Sequence, residues 1–128
     1  MKMTVLLDSS AWLEYFFGSE IGEKVKPIIE GDSGIIVSKL NIFEIYHKIL
    51  KERDKEEAEK FTSFVVLKST IDDLDVDTLK LAAEEKKKFG LGMADAIVLA
   101  TSIKYNVKIY TKDRDFEIAK SIVEVIFL

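Results

Sequence analysis

Apolar residues fall along this chain in two alternating rhythms, short solid runs and helical stripes, and their order is the first guide to the fold. Thr4-Val5-Leu6-Leu7 is a brief apolar run rich in β-formers and reads as a buried strand ending at Asp8. Trp12, Leu13, Phe16 and Phe17 follow at helical spacing, and Gly18 stands where a left-handed residue would close that helix. A second helix is expected from Ser19 towards Glu30. Pro27 lacks the N–H the ladder needs, so a kink or an early stop is expected there. Gly31-Asp32-Ser33-Gly34 is a turn, Ile35-Ile36-Val37 a second buried strand, and Ser38 is placed to cap a long helix through Arg53.

Asp54-Lys55 reads as a break, and the Glu/Lys-rich stretch 56–64 as another helix. Val65-Val66-Leu67 is expected as the third strand. Asp75 or Asp77 caps a helix through Phe89 that Gly90 ends. From Ala94 to Tyr105 the chain is apolar almost all round, the mark of a buried helix, and Asn106 ends it. Residues 107–111 and 122–126 read as the fourth and fifth strands. Strands alternate with helices, and the first, second and fourth are apolar enough to be covered on both faces. That pattern is an α/β fold with a parallel sheet between helical layers. No repeat, linker or low-complexity segment interrupts it, so the expectation is one domain over residues 1–128.

Composition narrows the chemistry. Hydrophobic residues make up 48% of the 128 and charged residues 33%, a globular balance. No apolar run approaches the roughly 20 residues of a membrane span. The stretch 1–8 is too short in apolar length for a signal peptide and ends in an acid, so the expected location is cytoplasmic, with no membrane partner. There is no cysteine and one histidine, His47. Disulfides, thiol catalysis and zinc knuckles are thereby excluded, and any metal held by side chains must be mainly oxygen-ligated, hence a hard cation. The formal net charge of −4 means that a phosphate backbone would be met through local patches and metal ions rather than by the whole molecule.

In a parallel α/β sheet, ligands collect outside the carboxyl ends of the strands. Asp8 follows the first strand and Asp113 the fourth. Each is either a turn or N-cap aspartate or, if the strands are neighbours, half of a close acidic pair that a cation would relieve. Asp95 is the only ionisable side chain between Gly90 and Ile103. An unpaired charge there is expensive, so it needs a partner, a metal, or a place in a first helical turn. Glu44 lies opposite the apolar face of Ile42, Ile45, Tyr46, Ile49 and Leu50, where an i, i+4 pair with Lys48 competes with a cleft position. His47 is either structural or a neighbour of Glu44 in a site. Lys86-Lys87-Lys88 reads as a solvated helix end or a phosphate contact, and Trp12, Tyr15, Phe16 and Phe17 as core or an oligomer interface.

Taken together, these segments resemble the four acidic motifs of the PIN-domain family. They are the strand-terminal Asp8, Glu44 within Val37-Ser38-Lys39-Leu40-Asn41-Ile42-Phe43-Glu44, Met93-Ala94-Asp95-Ala96-Ile97-Val98-Leu99-Ala100, and Thr111-Lys112-Asp113-Arg114-Asp115-Phe116. The resemblance spans essentially the whole chain. It implies a Rossmann-like three-layer α/β/α sandwich with a parallel sheet in the order 3-2-1-4-5, and a ribonuclease dependent on Mg²⁺ or Mn²⁺. Carried over by position, Asp8, Glu44, Asp95 and Asp113 would be catalytic and metal-binding. Asp115, Thr111 and Ser10 would support them. Lys39, Lys48, Lys112 and Arg114 are candidates for steering an RNA backbone. The stand-alone size resembles VapC-type toxins, which implies a small antitoxin partner and a homodimer. An RNA-processing nuclease and a catalytically silent scaffold are the alternatives. A phosphoacceptor receiver would need paired acids where Leu7-Asp8-Ser9 stands, and a haloacid dehalogenase-type phosphatase a second Asp at Ser10.

Overall fold

A computed structural model describes residues 3–128. Met1 and Lys2, which the reading of the first eight residues and the expectation of one domain over 1–128 both include, lie outside the described residues. Five strands form one sheet: β1 (Thr4–Leu7), β2 (Gly34–Ser38), β3 (Thr70–Asp72), β4 (Lys108–Thr111) and β5 (Val125–Phe127). All neighbouring pairs are parallel, and the order is β3-β2-β1-β4-β5. Among the described residues six α-helices connect the first four strands: α1 (Ser9–Phe17), α2 (Glu20–Ile29), α3 (Lys39–Glu52), α4 (Lys55–Lys68), α5 (Val76–Phe89) and α6 (Met93–Tyr105). No helix among the described residues is long and apolar enough to cross a membrane.

The solid apolar runs are explained by two covered faces. Side chains alternate along a strand, so Val5, Leu7, Ile35 and Val37 meet one helical layer through Trp12, Val25, Ile29, Ile45, Ile49, Phe61 and Val65. Leu6, Ile36 and Ile109 meet the other through Ala82, Leu91, Ile97, Leu99 and Phe116. Three of the aromatics of α1, Trp12, Tyr15 and Phe16, pack into the first layer. Trp12 meets Phe61 edge-on at 6.2 Å, and Phe16 meets the same ring at 4.8 Å.

Local signals account for most boundaries. Gly18 and Asn106 adopt left-handed backbone conformations at the ends of α1 and α6, with φ 70° and 54°. Asp75, not Asp77, caps α5, accepting from the Thr78 N–H at 2.8 Å. Pro27 lies inside α2, where it forfeits its own ladder bond, and the helix stops two residues later at Ile29.

The third strand is a correction. Residues 65–67 continue α4, because Ala58, Phe61 and Val65 repeat at helical spacing and bury one stripe, while Leu67 is 86% exposed. The strand comes after Ser69, at Thr70–Asp72. The fifth strand also begins later than expected. The Ile122 and Val123 N–H groups bind the Ala119 carbonyl at 3.0 and 3.2 Å, closing a 3₁₀ turn over Arg114–Ala119 that the apolar pattern did not reveal.

Candidate active site

β1 and β4 are hydrogen-bonded neighbours with Leu7 opposite Tyr110, so the residues that follow them emerge side by side at the carboxyl edge of the sheet. Asp8 is buried there and caps α1, its Oδ1 accepting the Ala11 N–H at 3.1 Å. Two hydroxyls complete its shell. Ser10 Oγ donates to Oδ1 at 2.6 Å, and Thr111 Oγ1 donates to Oδ2 at 2.5 Å. Each hydroxyl also accepts a backbone N–H from the loop after β4, Ser10 across the gap from Lys112 at 3.0 Å and Thr111 from Asp113 of its own loop at 2.9 Å. The end of β1 and the end of β4 are therefore sewn together around one carboxylate.

Asp113 begins the 3₁₀ turn and accepts the Asp115 N–H at 2.9 Å. Asp95 is the third residue of α6. The N-cap is Gly92, which makes no side-chain cap bond, so Asp95 sits in the first turn without serving as the cap. Asp95, Asp113 and Asp115 each place a carboxylate oxygen within 4.8 Å of the others. Burial pushes the Asp95 carboxyl up, and the charges of Asp113, Asp8 and Asp115 push it further, to about 7. Burial also raises Asp8 above its ordinary value; the bonds from Ser10, Thr111 and the Ala11 N–H oppose this, and the charge of Asp113 adds to it.

No lysine or arginine among the described residues forms an ion pair with these four aspartates. Lys112, between Thr111 and Asp113, turns its ammonium to Glu14 at 2.6 Å. Hydrogen bonds from Lys112 and from the Ser19 hydroxyl hold Glu14 below the usual carboxylate range. Arg114 lies over the Phe127 ring at 4.5 Å.

Glu44 is half-buried on α3 and is not one of the three acids within 4.8 Å. Its Oε1 accepts from Ser9 Oγ and from Asn41 Nδ2, both at 3.0 Å. The expected pair with Lys48 does not form; Lys48 bonds Glu52 at 3.2 Å. The structure thus gathers Asp95, Asp113 and Asp115, seats Asp8 within the field of Asp113, and ties Glu44 to them through Ser9, the neighbour of Asp8. Sequence reasoning missed Ser9 and Asn41. A signal was present, since Asn41, Ile45 and Ile49 form one buried stripe at a spacing of four, and the only polar member is one turn before Glu44. His47 stacks on Phe43 at 5.9 Å on the exposed side of α3. Lys86 closes the end of α5 by donating to the Leu91 carbonyl at 3.0 Å.

Oxygen donors with no cation among them suit a hard divalent ion, whose charge would offset the repulsion that lifts Asp95. A parallel sheet in this order, with carboxylates gathered where β1 and β4 end, defines an acid-clustered α/β sandwich. The chain belongs to the PIN domain family, whose sequence profile matches residues 5–121. It is similar in fold to a toxin–antitoxin complex from Klebsiella pneumoniae, at TM-score 0.75 and 18% identity over 95% of each chain. It is likewise similar to a VapBC from Rickettsia felis bound to promoter DNA, at TM-score 0.74 and 15% identity over 98% of each chain. A sarcin–ricin-loop-cleaving VapC toxin from Mycobacterium tuberculosis superposes at TM-score 0.76 and 16% identity, over 90% of this chain and 94% of that one. No curated protein matches the chain in sequence.

Proposed function

We infer that the chain is a Mg²⁺- or Mn²⁺-dependent endoribonuclease and the toxin of a toxin–antitoxin pair. One observation carries this reading: a member of the PIN domain family gathers aspartates at the carboxyl edge of its sheet and leaves them without a cation. Asp8, Glu44, Asp95 and Asp113 would hold the ion, with Asp115, Thr111 and Ser10 supporting them. A divalent ion bound there supplies the positive charge that draws in and polarises a phosphodiester and activates a water. The chain's own residues do the positioning. Thr111 and Ser10 keep both oxygens of Asp8 engaged, and the Asp113 N–H is aligned by Thr111. Three of the candidate RNA-steering lysines are engaged within the chain, Lys39 with Asp73 at 3.6 Å, Lys48 with Glu52, and Lys112 with Glu14. Exposed pairs of this kind are weak, so a phosphate backbone can exchange into them.

The toxin reading is supported by the similar structures, which include toxin–antitoxin and VapBC complexes. A small antitoxin would silence the site by placing a basic side chain among the uncompensated acids. For the homodimer, Ala11 and Trp12 of α1 are spent in the core, with Leu13, Tyr15 and Phe16 packed against it. The exposed apolar side chains lie on other helices, among them Phe43 and Leu50 on α3, Leu67 on α4, Leu79 on α5 and Met93 on α6. The test is incubation of the purified protein with a panel of structured RNAs in Mn²⁺ and in EDTA. Cleavage in Mn²⁺ that EDTA and Asp95→Asn both remove is the expected result. Full cleavage in chelator, with the metal content of the protein checked, would overturn the metal-dependent reading.

A further inference from the structure

The two serines after β1 divide their labour. Ser10 serves Asp8, while Ser9 reaches across from α1 to α3 and donates to Glu44. Asn41 donates to the same oxygen, Oε1, from one turn earlier in α3. Both bonds are 3.0 Å long, and among the described residues no protein donor reaches Oε2. The geometry points to Ser9 and Asn41 as positioning residues for Glu44: a two-donor clamp that fixes one carboxylate oxygen and presents the other to the divalent ion. This inference rests on the reading of Glu44 as part of the acidic site.

Three features of the clamp go beyond ordinary packing. Asn41 is 1% exposed, and its amide orientation is unambiguous, because a carboxylate only accepts and so must face Nδ2. That orientation leaves Oδ1 buried with no partner. A buried acceptor left unmade is unfavourable, so the side chain is oriented for Glu44 at the expense of its own other half. Second, the donors come from two helices, so the Glu44 carboxylate cannot turn without breaking a bond to α1 or within α3. Third, Ser9 is the chain neighbour of Asp8 and hydrogen-bonds Glu44, so it ties the positions of two proposed ligand acids together. Groups that orient a ligand carboxylate govern metal affinity, commonly by about 10-fold to 100-fold when removed.

The experiment is a Mn²⁺ titration of the metal-free protein by calorimetry, with RNA cleavage and melting in EDTA alongside. The variants are Ser9→Ala, Ser9→Thr, Asn41→Leu, Glu44→Gln and the double variant Ser9→Ala/Glu44→Gln. Ser9→Ala and Asn41→Leu are expected to weaken Mn²⁺ binding by about 10-fold. Ser9→Thr, which keeps the hydroxyl, restores it. Adding Ser9→Ala to Glu44→Gln should weaken binding no further, since the donor acts only through that carboxylate. Should Asn41→Leu fail to fold, as its EDTA melt would show, the series at the half-buried Ser9 decides the matter alone. If Ser9→Ala binds Mn²⁺ like the parent while Glu44→Gln loses it, the clamp is overturned and the site reading stands. A Glu44→Gln protein that binds and cleaves normally, beside an inert Asp95→Asn, removes Glu44 from the site and the clamp with it. A parent that binds no Mn²⁺ overturns both.

Discussion

Two aspartates at the carboxyl edge of the same sheet, Asp8 after β1 and Asp72 closing β3, are about equally hidden from water, at 5% and 1% exposure. Their surroundings differ. Asp72 accepts from the Lys104 ammonium at 2.7 Å, the Tyr105 hydroxyl at 3.0 Å and the Leu74 N–H at 3.0 Å. Asp8 receives only hydroxyls and a backbone N–H, with Asp95 and Asp113 nearby. Burial pushes the Asp72 carboxyl up, yet the bonds from Lys104, Leu74 and Tyr105 bring it below its ordinary value. Asp8 stays above its ordinary value, and so does Asp95, at about 7. Burial alone thus does not decide whether a carboxylate is a stabilising element; a cation in its shell does. One helix makes the contrast, for α6 carries Asp95 in its first turn and Lys104 in its last.

The sharpest way to break this comparison is to neutralise one acid on each side. Asp95→Asn should lower RNA cleavage by at least about 100-fold, the scale of losing a charge aimed at the reacting centre. Its metal-free melting temperature near neutral pH should be no lower than the parent's, because a repelled charge is removed. Asp72→Asn should do the opposite, leaving cleavage nearly intact and costing about 1–2 kcal/mol once the partial exposure of Lys104 is allowed for. Melting curves in EDTA and cleavage assays of both variants check it. A destabilised, active Asp95→Asn would mean that its role is structural.

Metal linkage ranks next. Mn²⁺ at 100 times its dissociation constant should stabilise the parent by about 2.7 kcal/mol. Asp72→Asn should gain as much, and Asp95→Asn less. Equal gains in all three proteins would place the ion elsewhere.

pH divides the two regions by sign. The folded pKa of Asp95 is about 7 against an ordinary 3.8, so the metal-free native state holds a proton that the unfolded chain has lost. Its contribution is fully present below about 4 and disappears as pH rises through about 7. Asp72 is shifted down, so its contribution is present above about 4 and is lost as pH falls through its folded value. Melting in EDTA from acid to neutral pH should show Asp95→Asn flattening the decline between about 4 and 7. Asp72→Asn should change only the acid limb.

The same contrast explains how much was legible beforehand. The sheet order came from the family resemblance, and the covered strands from solid apolar runs at Val5, Leu6, Leu7 and Ile35, Ile36, Val37. β3 was not legible, because its three residues Thr70, Ile71 and Asp72 carry no apolar run, while Val65, Val66 and Leu67 mimic one inside a helix. For Asp8 and Asp113 the choice between cap and cluster member proved false, since each caps its own element and also faces the other acids. Asp95 announced itself by its isolation in apolar sequence. Glu44 did not, because its bonds run to Ser9, 35 residues away, and to Asn41, and a helical wheel contains neither the first partner nor the direction of the second. The Asp72 pair was equally hidden, with acid and lysine 32 positions apart in the chain.

The smallest effect concerns which acid makes Lys104 matter. Lys104 also approaches Asp75 at 3.4 Å, but Asp75 is more than half exposed, whereas the Asp72 side chain is fully buried. Charge in water is screened, and a pair with one exposed partner adds little. Asp75 has a second duty, accepting the Thr78 N–H and hydroxyl as the cap of α5. Asparagine caps as well as aspartate. Asp75→Asn therefore keeps the cap, removes only the screened arm, and leaves Lys104 on Asp72. Its melting temperature should match the parent's to within about a degree, with no added salt dependence, while Asp72→Asn falls clearly below both. If Asp75→Asn instead melts as low as Asp72→Asn, Lys104 is held by the exposed acid. The buried Asp72 would then be as uncompensated as Asp8, and the cation would no longer be what separates the two ends of α6.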